Sequence, residues 1–181
     1  IERGRVMEYF LLKMNHDFPF GIQSLSFTPL ELHGDMPTVK KVIKKGETAI
    51  HIFPDYLTTF TTRGQYHLVS HGLKSLLELY LPEIVWVPCV LVTVDDEQHL
   101  YWFMKLQKIN AIHPHTQFDH TGLVQTLVLN KKAIPNGFLA FEICTEKQRF
   151  FIFRLEMIES ILRRKFFGLQ WVRLQEKISD G

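Results

Sequence analysis

The sequence predicts an α+β fold, a mixed or mainly antiparallel sheet carrying two principal helices. Three observations predict it. Short apolar segments bounded by Gly, Pro, Asn and Asp recur along the chain and read as strands. Two segments place apolar side chains at helical spacing. Each of these lies between two apolar segments, so a strand–helix–strand unit is used twice, with helices packed on a sheet.

MEYFLLKM, residues 7–14, reads as an opening strand closed by the polar turn NHD. Residues 18–38 hold Pro19, Gly21, Pro29, Gly34 and Pro37 and read as irregular. MPTVKKVIKKGE reads as a short helical or extended segment ending at Gly46, and AIHIF (49–53) as a strand stopped by Pro54. YLTTFTT is compatible with strand or turn. YHLVS (66–70) is a strand, and Ser70 is placed to cap a helix by accepting a backbone N–H. Leu73, Leu76, Leu77 and Tyr80 form one helical face, which Pro82 ends. IVWVPCVLVTV (84–94) and HLYWFMKLQ (99–107) form a hairpin around the turn DDEQ. Pro88 lacks a ladder donor, so it belongs at an edge or a bulge.

Residues 108–122 read as a loop and LVQTLVLN (123–130) as a strand, followed by the turn KKAIPNG. FLAFEIC and RFFIF form a second hairpin. The last helix is expected over 155–166 with Leu155, Ile158, Leu162 and Phe166 on one face, and Gly168 is placed to end it in the left-handed conformation. LQWVRL closes the chain as a strand, and KISDG is expected to fray. The two helical units echo each other at a shift of 85 residues, which pairs Trp86 with Trp171 and Ser75 with Ser160. The domain reading is a single domain over 1–181, with an irregular part to residue 65 and an α+β core over 66–174.

Composition narrows the function classes. With 46% hydrophobic and 22% charged residues the chain is globular rather than disordered. A net charge of +2 is below the footprint of a dedicated nucleic-acid binder. Cys89 and Cys144 lie in apolar strand segments and read as buried free thiols, which suits a reducing compartment. The longest apolar run, 84–94, is too short to span a bilayer, which takes about 20 residues. No signal-peptide pattern opens the chain, and Met7 is its first candidate initiator. The expectation is a soluble cytoplasmic protein with neither a nucleic-acid nor a membrane partner.

One stretch concentrates chemistry. HPHTQFDH, residues 113–120, packs three histidines and an aspartate into eight positions. His113, His115, Asp119 and His120 carry atoms that zinc accepts. Pro114 separates the first two in a loop, and no HExxH or CxxC frames them. The bland reading, a solvated loop used in recognition, is preferred, and no metal or cofactor is expected. No G-x-S-x-G elbow and no phosphate-cradling glycine loop is present. KKVIKK (40–45) and RRK (163–165) read as solvated basic faces, the second at a helix C-terminus where cations favour the dipole. No catalytic residue is assigned.

VSHGLKSLLELYLPEIVWVPC (69–89), FMKLQKINAIHPHTQFD (103–119) and FFIFRLEMIESILRRKFFGLQWVRL (150–174) together carry a resemblance. They resemble a class of immunity proteins from bacterial polymorphic toxin systems, long labelled only as a domain of unknown function. Members show an opening strand, a Ser–helix–strand–Pro segment, a hairpin, an Asp-containing loop, and a closing strand–helix–Gly–strand. The match covers most of 66–174, and Arg154 departs from it where a capping Ser is expected. The resemblance implies a protein that binds and neutralises one cognate toxin domain, without catalysis. His113, His115, Gln117, Phe118, Asp119 and His120 would then form or support the toxin-binding loop. Two alternatives stay open: a small metal-assisted hydrolase using His113, His115, Asp119 and His120, and an interaction module with no toxin.

Overall fold

The computed structural model describes residues 7–15, 40–43, 53–61, 64–93 and 97–177. In chain order the strands are β1 (Tyr9–Met14), β2 (Lys40–Ile43), β3 (Tyr56–Thr61), β4 (Gly64–Ser70), β5 (Val85–Thr93) and β6 (Gln98–Lys105). There follow β7 (Gln117–Phe118), β8 (Val124–Thr126), β9 (Val128–Asn130), β10 (Ala140–Cys144), β11 (Arg149–Arg154), β12 (Leu169–Arg173) and β13 (Gln175–Lys177). Helix α1 spans His71–Tyr80 and α2 spans Leu155–Leu162. The fold is α+β with mainly antiparallel sheet, as the sequence predicts, and two pairs, β2–β5 and β9–β13, are parallel.

The chain divides into two compact units. One is drawn from Ile1–Lys13, Leu106–Arg164 and Trp171–Gly181, the other from Met14–Lys105 and Lys165–Gln170.

The second unit carries a sheet in the order β2-β5-β6-β4-β3. Strand alternation puts Leu57, Leu68, Val87, Cys89, Leu91, Tyr101 and Phe103 on one face, where they form a buried cluster. Helix α1 lies against β4 and β6. It starts where expected: the Ser70 hydroxyl accepts the Leu73 N–H at 3.2 Å. Leu73, Leu76 and Leu77 are buried, each worth about 2 kcal/mol over an exposed side chain, whereas Tyr80 is exposed, so the face is one residue shorter than its spacing predicts. Lys74 stands over the rings of Trp86 and Trp102, 5.6 and 4.6 Å from their centroids. Pro88 lies in an inner strand, but in a part that β2 does not reach, since β2 pairs with β5 only from Val90 to Thr93. Its missing donor is therefore not required by that pairing.

Asp55 ties this unit together. Its backbone N–H donates to the Phe167 carbonyl at 2.8 Å, and its carboxylate accepts the Phe167 N–H at 2.8 Å and the Ser70 hydroxyl at 2.5 Å. The helix cap is thus anchored by a carboxylate. Tyr56, on β3 beside β4, is fully buried, its hydroxyl 2.5 Å from His67 Nδ1. Burial pushes its phenol far above the ordinary range, so it stays protonated.

The first unit carries the sheet β10-β11-β1-β12. Leu11, Phe141, Ile143 and Ile152 form a buried cluster with Ala111, Leu127, Leu129 and Ile134. Helix α2 lies against β11 and differs from expectation in two ways. It stops at Leu162, because the chain turns there and Arg164 N–H bonds to the Ile161 carbonyl. Its buried stripe is Met157, Ile158 and Ile161, while Leu162 is 66% exposed. Arg154 caps it without a side-chain bond and pairs with Glu156 at 2.6 Å. Gly168 is left-handed, with φ 82°, but six residues beyond the helix, so it is not the helix terminator that the sequence reading made it.

The echo between the helical units reaches the topology. In the order β3-β4-β6-β5 a hairpin leads into α1, which crosses to a strand two places away. In the order β10-β11-β1-β12 a hairpin leads into α2, which does the same. The starts at Tyr56 and Ala140, His71 and Leu155, and Val85 and Leu169 are each 84 residues apart, one fewer than the tryptophan pairing implies.

The strand expected over 49–53 and the irregular stretch 18–38 lie outside the described residues, apart from Phe53, which is in neither helix nor strand. The segment left between helix and extended contributes β2, and YLTTFTT contributes β3. The strand expected over 123–130 is two, broken at Leu127. Of the tail expected to fray, Lys177 belongs to β13 and 178–181 lie outside the described residues. Cys89 is buried and Cys144 half-buried, and neither is in a disulfide.

Candidate functional site

The histidine loop is built on a ribbon in the first unit. Residues 111–113 run antiparallel to β9: the Asn130 N–H donates to the Ala111 carbonyl and the His113 N–H to the Val128 carbonyl, both at 2.9 Å. On its other edge β9 pairs with β13, in the register Val128–Gln175 and Asn130–Lys177. Alternation directs Leu129 and Ile112 to the buried cluster and sets His113, Asn130 and Lys177 on the opposite face.

The chain then turns sharply. The Thr116 N–H donates to the His113 carbonyl at 2.9 Å, and Nδ1 of His113 accepts the His115 N–H at 3.1 Å. The Thr116 hydroxyl donates to the Val128 carbonyl and accepts the Val128 N–H, both at 3.1 Å. His113 is 5% exposed, so it supports the loop from beneath rather than presenting itself. Burial first, then the neighbouring His115 and Lys177, lower its pKa from the ordinary 6.5. His115 is exposed, its Nδ1 2.9 Å from Lys177 Nζ. The two imidazole rings are 4.9 Å apart.

Asp119 organises the second turn. Its Oδ1 accepts the Thr121 hydroxyl at 2.7 Å, the Thr121 N–H at 2.8 Å and the Leu123 N–H at 2.9 Å. These bonds, the Thr121 hydroxyl foremost, hold its carboxyl below the usual range. The carboxylate thereby closes a loop that Lys147 braces through the Thr121 carbonyl and Gln148 through the Val124 N–H. Gln117 and His120 are exposed, and Phe118 is 49% exposed. Phe118 borders a shallow cleft of about 350 Å³ with Ile112, Gly122, Thr145, Glu146 and Lys147.

The six residues singled out in the sequence therefore divide. Gln117, Phe118 and His120 are presented at the surface, His115 is presented against Lys177, and His113 and Asp119 build the loop. Among the described residues no three His, Cys, Asp or Glu side chains are grouped to hold a metal ion, so the four candidate ligands do not converge. Lys177 went unread because it lies in a polar tail without periodic signal. Lys147 and Gln148 went unread because they sit in a hairpin turn that looks like any other.

Two other nucleophiles, Ser70 and Cys144, are committed elsewhere. The Ser70 hydroxyl is used by Asp55 and by the helix cap. The Cys144 thiol, donating to buried Glu142 at 3.1 Å, is pushed up to about 11, by burial first and then by that carboxylate. No helix among the described residues is long and apolar enough to cross a membrane. No protein-family model matches the chain, and no curated protein is detectably similar to it.

Proposed function

We propose that the chain is a bacterial immunity protein that acts in the cytoplasm by binding and neutralising a cognate toxin domain. The observation that carries this reading is the loop 113–123. It is braced by its own side chains on a hydrogen-bonded ribbon, and it offers Phe118, Gln117, His115 and His120 outward. A rigid loop with an exposed aromatic beside a cleft meets a partner at low ordering cost. Aromatic anchors dominate the energetics of protein interfaces. The resemblance over 66–174 supplies the class of partner. A metal-assisted hydrolase draws less support, since His113 Nδ1 and Asp119 Oδ1 are engaged within the loop and no three candidate ligands are grouped among the described residues.

Capture with the tagged chain as bait, from a lysate expressing the candidate toxin, tests the reading. One stoichiometric partner that is toxic when expressed alone, and harmless with the chain, is the expected result. The same partner should be lost with Phe118→Ala, a change that leaves a truncated anchor on an intact loop. A folded bait that takes no such partner would overturn the assignment.

A further inference from the structure

The two units repeat one arrangement down to single residue pairs. The hairpin β3–β4 sets Tyr56 opposite Val69 and Leu57 opposite Leu68, and the hairpin β10–β11 sets Ala140 opposite Phe153 and Phe141 opposite Ile152. The next strand follows suit. Strand β6 places Trp102 beside Val69 and Phe103 beside Leu68, while β1 places Phe10 beside Phe153 and Leu11 beside Ile152. On β5, Trp86 lies opposite Met104 and Pro88 opposite Trp102. On β12, the Leu174 N–H donates to the Tyr9 carbonyl, which sets Arg173 opposite Phe10 and Trp171 opposite Leu12. Trp86 and Trp171 thus hold the same place. Pro88 and Leu100 fall where the first unit has Arg173 and Glu8.

At these positions the units part. In the first, Glu8 and Arg173 pair across the strands at 2.5 Å, so the arrangement accepts an ion pair there. In the second, the sheet face that carries α1 continues as Pro88, Trp102, Val90 and Leu100, with Val90 opposite Leu100. Leu100 is 46% exposed, and Pro88, Val90 and Trp102 are half-buried. The buried cluster is built from the other face of these strands, by Val87, Cys89, Leu91, Tyr101 and Phe103. Lys74 borders the strip from α1, its ammonium over the Trp86 and Trp102 rings and paired with Glu78.

We propose that Pro88, Val90, Leu100 and Trp102 dock one amphipathic helix of a protein partner. A contiguous apolar strip, where the same arrangement accepts an ion pair, marks an interaction surface. Its dimensions select the occupant. Two strands side by side are about 10 Å wide, the breadth of one helix, and Trp86 to Val90 span about 14 Å. That is ~150 Å², whereas a stable interface between two copies covers about 800 Å² on each. The charge agrees. The strip carries none, and Lys74 with Glu78 is neutral as a pair, so the partner is apolar where it touches. An anionic lipid surface would call for a basic rim instead. The strip lies on the unit without the histidine loop, so the inference does not rest on the toxin reading.

The probe is a synthetic leucine–lysine amphipathic helix of about 18 residues, added to the full chain. The readout is the indole N–H NMR signals of its three tryptophans. The expected result is a saturable shift of Trp86 and Trp102 that spares Trp171, and no shift with a scrambled peptide of the same composition. The double variant Pro88→Arg with Leu100→Glu installs the residue types of the first unit. It should weaken the peptide about tenfold or more and leave the urea midpoint unchanged. Leu100→Gln alone, a milder change, should weaken it in the same direction. A shift that Trp171 shares, or that both variants leave intact, would overturn the docking surface. So would a fall in the urea midpoint of both variants, which would make the strip part of the core. Self-association of the chain that the variants abolish would give the strip to a second copy. A shift with phosphatidylcholine vesicles and none with the peptide would give it to a lipid surface. Either would overturn the helix.

Discussion

Replacing Gly168 by Ala is expected to cost far more than the same change at Gly137, although both backbones are left-handed. Gly168 has φ 82° and Gly137 has φ 91°. A side chain in this region carries a penalty of about 1–2 kcal/mol at either position. At Gly137 nothing lies within 4 Å of the added carbon. At Gly168 the carbon would stand 2.5 Å from Pro54 Cβ, 3.3 Å from the Tyr56 carbonyl oxygen and 3.4 Å from Pro54 Cα. A proline ring has no rotamer that moves its Cβ away. The segment cannot easily back off either, because both Asp55–Phe167 hydrogen bonds hold it at 2.8 Å. Relieving such overpacking adds about 1–3 kcal/mol. Gly168→Ala should therefore lose about 3 kcal/mol and Gly137→Ala about 1 kcal/mol. Urea unfolding, followed by tryptophan fluorescence and far-UV circular dichroism, measures both. Losses equal to within about 0.5 kcal/mol would refute the close-approach argument.

Ser70→Ala removes a helix cap and a donor to Asp55 together, and should cost about 2 kcal/mol in the same urea assay; a loss under about 0.5 kcal/mol would mean the cap is not anchored. Tyr56→Phe removes the hydroxyl bonded to buried His67 Nδ1 and should cost about 1–3 kcal/mol, with an unchanged midpoint counting against that bond. Asp119→Ala should speed hydrogen exchange at the Thr121 and Leu123 amides while leaving β10 and β11 protected; unaltered exchange would show that the turn holds without its carboxylate. For His113 the folded state favours the neutral ring, so the unfolded chain takes up its proton first as pH falls. Its contribution is full above the ordinary pKa of 6.5 and is lost as pH drops from there through the lower folded value. The acid loss of stability should be smaller in His113→Asn than in the unsubstituted chain, and identical pH profiles would argue against a buried neutral His113.

What the sequence made legible was local. Ser70 and the Leu73, Leu76, Leu77 stripe announce α1, because a cap and a periodic face are encoded within one short segment. The hairpins β5–β6 and β10–β11 are legible for the same reason, two apolar segments around a polar turn. The extent of α2 was not, since Leu162 and Phe166 continue the helical spacing past the point where the backbone turns. Gly168 was read as a helix end when its left-handed backbone answers to Pro54, more than a hundred residues away in sequence. In the histidine loop the residue types were visible but their roles were not. Whether Asp119 faces a partner or its own Thr121 depends on backbone geometry, and the value of Lys177 depends on β13 pairing with β9.

The way the two units share the chain bears on how the protein can be made and cut. Within this sequence strand β1 is made long before its neighbours β11 and β12, and the Leu174 N–H that bonds to the Tyr9 carbonyl comes later still. Strands β2 to β6 run consecutively and can close during that wait, lacking only Lys165–Gln170. Synthesis thus stages assembly, with the histidine-loop unit finished after the sheet of β2 to β6. No single cut yields that unit intact, because trimming either end removes a strand from the sheet β10-β11-β1-β12. Joining the ends and opening the chain in the hairpin between β5 and β6 would instead leave only β13 and the joined ends between β12 and β1, so that this pair is complete before β2 to β5 are made.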